Sequence, residues 1–240
     1  MKNQFKTSVS LIALLTLTVA CGGSGSGGGS SDKKTSNDQQ REEEETEVAE
    51  SGDYLAFLRP INTRVYGFIN SGKAEVKADQ NLSVNLVMDD VPGVTHIQSI
   101  HIGKRCPHKE DDTNNDGYID IKEAMTVAGK VLIPLDDNLE TQTLGRSQYP
   151  TGKSYTFQRR ANMKRVMNDL TLPDEDVNDN VIKLTDTEEF SFEGRVIIIQ
   201  GAYQTALLPS TVATIGTLTS AMSIPIACGR MMKRITAPVP

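Results

Sequence analysis

Residues 82–106 read LSVNLVMDDVPGVTHIQSIHIGKRC, and this stretch indicates the fold class. Leu82–Met88 alternates apolar with polar side chains, which is the pattern of a half-buried strand. Asp89–Gly93 has the composition of a turn, and a second alternating stretch, Thr95–Ile102, follows it. Two strands joined by a turn predict a mainly β domain.

Outside this stretch, three short segments also predict strands: 74–78, 131–135 and 196–199. Two segments predict helices, Ile121–Ala128 and Phe157–Leu170. The second helix would place four apolar residues on one face: Met163, Val166, Met167 and Leu170. Its other face would carry Arg159, Arg160, Lys164 and Arg165, and is either solvated or a surface for an anionic partner.

Residues 112–123 read DTNNDGYIDIKE and match a twelve-residue calcium-binding loop position by position. Gly117 stands at position 6, where the chain must turn sharply, and Ile119 supplies the apolar anchor at position 8. The expected side-chain ligands, at positions 1, 3, 5, 9 and 12, are Asp112, Asn114, Asp116, Asp120 and Glu123. The expected backbone ligand, at position 7, is the carbonyl of Tyr118. The alternative is a surface turn rich in Asx and glycine. The sequence therefore predicts one Ca²⁺.

A second oxygen-rich segment, residues 174–180, reads DEDVNDN. It lacks glycine at the sixth position, and Thr185 stands where the terminal glutamate belongs. An acidic loop is the simpler interpretation of this segment.

The N-terminus resembles the signal peptide of a bacterial lipoprotein. A short basic region precedes an apolar run, Val9–Ala20, and Ala20 directly precedes Cys21. We expect residues 1–20 to be removed and Cys21 to be lipidated, so that the mature chain is anchored to a membrane without spanning it. An ordinary cleaved signal that happens to precede a cysteine is the alternative. The expected location is the bacterial cell envelope, on the outer membrane if the cell is Gram-negative, because Gly22 rather than aspartate follows the cysteine.

The composition after Cys21 predicts a disordered tether over residues 21–52, followed by one domain over 53–240. After Cys21, residues 22–31 are all glycine or serine, and an acidic stretch with four consecutive glutamates follows. The full chain has a formal net charge of −6 and contains no tryptophan. Such a chain is a poor candidate for nucleic-acid binding.

Three cysteines leave one pair for the domain. If Cys21 is lipidated, Cys106 and Cys228 remain in an exported protein, where disulfides persist. Either they are joined, closing a loop of about 120 residues, or they are two buried free thiols.

Three stretches carry a resemblance to a known family: Leu82–Cys106, Gly194–Ala202 (GRVIIIQGA) and Ile226–Gly229 (IACG). In this order they resemble a histidine-bearing strand, a Gly-Arg strand and the C-terminal Leu-Ala-Cys-Gly segment of copper–zinc superoxide dismutase. The resemblance implies an eight-stranded Greek-key β-sandwich, with the calcium loop and one or two short helices in the connections. It also implies a disulfide between Cys106 and Cys228.

The metal chemistry of that family is not carried over. Its His-x-His copper pair corresponds here to Ser99-Ile100-His101, so only His101 matches a copper ligand, and Gln200 stands where another copper histidine would be. His96 matches a structural histidine, and His108 is the third and last histidine of the chain. Copper and zinc are therefore not expected as cofactors.

These observations predict a non-enzymatic lipoprotein whose calcium-stabilised domain has a structural or binding role at the cell envelope, with a partner that the sequence does not identify. The alternative is a residual copper-binding or superoxide-handling protein that uses His101. If calcium braces the domain, Glu123→Ala is expected to lower the melting temperature only when calcium is present.

Overall fold

The structure is a computed structural model that describes residues 50–65, 67, 70–142, 148–171, 180–184, 190–203 and 207–235. Residues 1–20, Cys21, most of the predicted tether and 174–179 lie outside the described residues. The strands of the described part are β1 Gly52–Pro60, β2 Ser71–Ala78, β3 Asn81–Asp89, β4 Gln98–His101, β5 Val131–Pro134, β6 Tyr155–Asn162, β7 Val196–Gln200, β8 Pro225–Arg230 and β9 Met232–Lys233. The helices are α1 Ile121–Ala128, α2 Met163–Thr171 and α3 Ser220–Ser223.

These strands form a curled antiparallel sheet in the order β5-β4-β7-β8-β1-β2-β3-β6, with the short β9 paired to β1. β1 belongs to both halves of the fold, because Gly52–Leu58 pair with β2 while Arg59 and Pro60 pair with β8. The chain crosses from one half, which contains β2, β3, β6 and β9, to the other, which contains β4, β5, β7 and β8, or back, after β3, β5, β6 and β8. The predicted mainly β sandwich, with a main path of eight strands and a few short helices, is confirmed.

Alternate residues of the strands fill the space between the two halves. Tyr54, Ala56 and Leu58 of β1 face the same core as Leu82, Val84, Leu86 and Met88 of β3. β7 is buried along its whole length: Ile197 and Ile199 join this core, whereas Val196 and Ile198 point to the other side. There they pack with Ile121, Ala124 and Ala128 of α1. The helix that follows the predicted calcium loop is therefore seated on the sheet.

The helix predicted over Phe157–Leu170 is correct only in its second half. Tyr155–Asn162 is strand β6, which pairs with β3 from Asn81↔Asn162 to Met88↔Tyr155, and α2 begins at Met163. Phe157 and Ala161 point into the core, and the backbone groups of β6 pair with the edge of β3 that β2 leaves open. The four basic residues consequently do not share one helical face, because Arg159 and Arg160 lie on the strand.

The predicted disulfide is present: Cys106 and Cys228 are bonded, with their Cα atoms 5.8 Å apart. It joins the segment that leads into residues 112–123 to the central strand β8. Among the described residues, no helix has both the length and the apolar character needed to cross a bilayer.

Candidate metal centre

Residues 112–120 form a tight loop between a 3-10 turn, Lys109–Asp111, and helix α1, and the last three residues of the motif are the start of α1. Two of its residues have positive φ, Asn115 at 57° and Gly117 at 89°. A side chain at Gly117 would be strained by this backbone conformation, and its Cβ would lie 3.3 Å from Arg64 Nη1. Glycine at position 6 is therefore required by the loop's own geometry, in agreement with the motif.

The side chains of the first half of the loop turn back onto its backbone. Asp112 accepts hydrogen bonds from the N–H of Asp116 (3.2 Å) and of Gly117 (2.8 Å). Asn114 Oδ1 accepts from Asp116 N–H at 2.9 Å, and Asp116 Oδ1 accepts from Tyr118 N–H at 2.9 Å. The oxygens at positions 1, 3 and 5 are thus gathered by the same short run of backbone N–H groups.

Glu123 and Asp120 close the loop. Asp120 caps α1 by accepting from the N–H of Lys122 and Glu123, and Glu123 Oε2 accepts from Asp120 N–H at 3.0 Å. Glu123 Oε1 reaches across to the start of the loop, where it accepts from Thr113 N–H (2.7 Å), Thr113 Oγ1 (2.8 Å) and Asn114 N–H (3.3 Å). The carboxylate at position 12 is only 7% exposed and holds the two ends of the loop together.

Three contacts from distant parts of the chain fix the loop on the sandwich. The Asn62 side chain binds both the N–H and the C=O of Ile119, each at 2.8 Å. From the segment before α3, Thr211 Oγ1 donates to Asp116 Oδ2 at 2.5 Å and Ala213 N–H donates to Asp120 Oδ2 at 2.9 Å. Sequence reasoning did not find these residues, because they lie 57 to 95 positions from their partners and belong to no motif.

The donor set of the loop fits a hard cation. The six expected positions supply oxygen alone, from three aspartates, one glutamate, one asparagine and one carbonyl, which is the chemistry that Ca²⁺ prefers. Within the described residues, no three His, Cys, Asp or Glu side chains group closely enough to hold a metal ion by themselves. Calcium at this loop therefore stays a prediction.

An ion pair secures the approach to the loop. Arg105 donates to both carboxylate oxygens of Asp111, each at 2.8 Å, and Asp111 Oδ2 also accepts from His108 N–H at 2.7 Å. The hydrogen bonds from Arg105 lower the pKa of Asp111 to about 2, with a further contribution from His108 N–H. Hydrogen bonds within the segment that leads from Cys106 to Asp112 thus hold its conformation before the loop begins.

The histidines are dispersed. His101 in β4 is fully buried, with Nε2 2.9 Å from Ser99 Oγ and Nδ1 2.8 Å from Gly129 O. His96 is also buried; its Nε2 lies 2.7 Å from Pro92 O, and its ring stacks on Tyr155 with centroids 5.3 Å apart. His108 is exposed beside the disulfide. Each buried ring already has a protein partner at both nitrogens.

A small cavity of about 20 Å³ lies in the half of the fold that contains β4, β5 and β7. Ser99 and Gln200 line it, together with Ile97, Val131, Tyr149, Ile215 and Leu218. Gln200 is 1% exposed, and its Oε1 makes no hydrogen bond within the described residues. The volume is about that of one water molecule. Ser99 and Gln200 therefore face a small, mostly apolar space.

We expect His101 to make the domain sensitive to mild acid. Burial lowers the pKa of His101 to about 4, against a smaller opposing effect of the bond to Gly129. Since the unfolded chain binds this proton near pH 6.5, the stabilisation is complete above that pH and is lost as pH falls to about 4, at a cost of about 3 kcal/mol. His101→Gln should flatten the dependence of unfolding free energy on pH over this window, measured by urea unfolding.

His108→Gln, which replaces an exposed histidine, is the control for the substitution of histidine by glutamine itself. A His101→Gln variant with the parental slope between pH 6.5 and 4 would contradict the assignment. The slope should not vanish completely, because burial also lowers the pKa of His96.

Comparisons with known proteins extend only to the fold. No protein-family model matches the chain, and no curated protein matches it. Among solved structures, the chain is similar to a point mutant of superoxide dismutase 5 from Candida albicans, with a TM-score of 0.39 and 10% sequence identity. The match covers 78% of this chain and 92% of that chain.

Proposed function

We propose that this protein is a lipid-anchored, exported protein of the bacterial cell envelope whose β-sandwich domain binds one structural Ca²⁺ and has a structural or binding role rather than an enzymatic one. The observation that carries the proposal is the loop Asp112–Glu123. Its oxygen donors match the calcium motif, and it is fastened to the sandwich by Asn62, Thr211 and Ala213.

A bound calcium ion would act as a brace in this position. The loop carries four carboxylates within twelve residues, and a divalent cation would offset the repulsion between them as they turn toward it. Asp112, Asn114, Asp116, Asp120 and Glu123 would hold the ion with side-chain oxygens, and Tyr118 with its carbonyl. Extracellular calcium reaches millimolar levels, so even a site with a Kd of about 10⁻⁴ M would be largely occupied. The ion would then stabilise rather than signal.

The non-enzymatic part of the proposal is supported by the surroundings of His101. For His101 to ligate copper, its hydrogen bond with Ser99 Oγ or the one that it donates to Gly129 O would have to break. Ser99 and Gln200 offer weak oxygen donors where a redox copper site needs nitrogen. Superoxide chemistry therefore has little support in this chain.

The envelope location rests on the N-terminal sequence alone. A basic region, an apolar run and Ala20-Cys21 together are typical of a lipidated export signal. A flexible tether of about 30 residues would let the domain range roughly 30 Å from the membrane. That reach suits a domain that meets an envelope or extracellular partner.

Metal content tests this proposal most directly. The mature chain, made with Cys21→Ser so that it stays free of lipid, is exposed to equimolar calcium, zinc and copper, and native mass spectrometry measures what it retains. We expect one calcium ion and no transition metal. Stoichiometric copper or zinc, or no calcium at all, would overturn the proposal. Globomycin-sensitive processing of the precursor, together with a mass increase on Cys21, would test the anchor separately.

A further inference from the structure

Asn62 makes an unusual set of contacts for a residue of a connecting segment. It follows β1 with a positive φ of 54°. Its Oδ1 accepts from Ile119 N–H at 2.8 Å, and its Nδ2 donates to Ile119 O at 2.8 Å and to Pro225 O at 2.9 Å. One amide side chain therefore satisfies both backbone groups of a loop residue and ties that residue to β8.

The bond to Ile119 N–H has a consequence for the preceding residue. Ile119 N–H and Tyr118 C=O belong to the same peptide unit, which is planar and trans, so they point in opposite directions. When Asn62 Oδ1 holds the N–H, the plane of this unit is fixed, and the Tyr118 oxygen is directed away from Asn62. Tyr118 is position 7 of the motif, where the ligand is this carbonyl oxygen.

We propose that Asn62 is a positioning residue for the calcium site, which presents the Tyr118 carbonyl before the ion arrives. The inference rests on the proposed function of the loop. It adds that a residue of the sandwich, outside the twelve-residue motif, orients one of the calcium ligands. Residues outside the ligand shell that orient ligands are typically worth about 10- to 100-fold in metal affinity. A loop ordered in advance avoids the entropy cost of ordering it on binding.

A second asparagine provides a matched control. Asn70 is buried, and its Nδ2 donates to Ile226 O at 3.0 Å, which is the neighbour of the β8 residue that Asn62 binds. Both side chains thus anchor a connecting segment to the same strand, but only Asn62 binds Ile119. A purely structural role for Asn62 would predict the same consequences for the loss of either side chain.

The test compares Asn62→Gly, Asn62→Asp and Asn70→Gly in the mature Cys21→Ser chain, by calorimetric titration with calcium and by melting without calcium. Glycine accepts the positive φ of position 62, so Asn62→Gly removes the amide without adding backbone strain. We expect Asn62→Gly to raise the calcium Kd by about tenfold or more. Asn70→Gly should lower the calcium-free melting temperature and leave Kd near the parental value.

Asn62→Asp separates the bond from Ile119 N–H from the other two hydrogen bonds of Asn62. The aspartate keeps an oxygen that accepts from Ile119 N–H, but it has no N–H to donate to Ile119 O or Pro225 O. Its Kd is expected to fall between those of the parent and Asn62→Gly. Equal Kd values for Asn62→Gly and the parent, or equal weakening by Asn62→Gly and Asn70→Gly, would overturn the inference while leaving the calcium site intact. An Asn62→Asp variant whose calcium Kd is no lower than that of Asn62→Gly would also overturn the inference. Absence of calcium binding in the parent would instead refute the proposed function.

Discussion

Replacing Cys106 and Cys228 with serine is expected to lower the free energy of unfolding by about 4 kcal/mol. The two cysteines are 122 positions apart, so their bond removes a large amount of conformational freedom from the unfolded chain. For a domain of this size, such a loss corresponds to a fall of roughly 8–16 °C in melting temperature. Guanidinium unfolding of the mature chain, with and without reductant, measures the change.

The control for the loss of a thiol outside the domain compares the lipid-free chain with Cys21 and with Cys21→Ser, and the unfolding midpoint should be the same in both. The double variant should also show a steeper dependence on denaturant, since an unfolded chain without the cross-link exposes more surface. A reduced protein that unfolds at the same midpoint as the oxidised one would contradict this prediction.

Calcium is expected to raise the melting temperature of the parent by roughly 5–10 °C when it is supplied at about 100 times its Kd, which corresponds to about 2.7 kcal/mol. Glu123→Gln should abolish most of this increase, because the amide loses the charge and the bidentate grip at position 12. Its Oε1 can still accept from Thr113, so the calcium-free domain should remain folded. Thermal melting over a calcium series measures both effects.

Glu110→Gln is the matched control, since Glu110 lies just before the loop and occupies none of its ligand positions. A Glu123→Gln variant that gains as much from calcium as the parent would contradict the assignment of position 12. Glu123→Ala is less informative than the sequence suggested. Four hydrogen bonds end on this carboxylate, so alanine should destabilise the calcium-free domain as well, by about 1–3 kcal/mol.

The local features of the candidate site were predictable because they depend on residues close in sequence. The twelve-residue spacing located the loop, and helix α1 begins and ends at Ile121 and Ala128, where a short helix leaving the loop was predicted. The strand over Leu82–Met88 was also found, since apolar and polar residues alternate from Leu82 to Leu86. The pairing of Cys106 with Cys228 followed from the cysteine count and the family resemblance together.

Features that depend on tertiary partners were missed. β1 was overlooked because Leu55 and Phe57 are apolar although they face outward, so the strand shows no alternation of apolar and polar residues. β6 was assigned to a helix, since the apolar spacing of α2 was extended backwards over Phe157 and Arg159. Asn62 carried no signal at all: its role exists only where the connection after β1 meets Ile119.

β1 also determines how the domain would respond to mechanical load. The chain enters the domain at Glu50, next to the start of β1, while Asn62 and the loop that it holds lie at the other end of this strand, about 30 Å away. A pull between a membrane anchor and a partner bound near the loop would run along the strand axis. The seven residue pairs between β1 and β2 would then be sheared together rather than opened one after another. All seven pairs would therefore carry such a load at the same time, and the domain would resist it as one element.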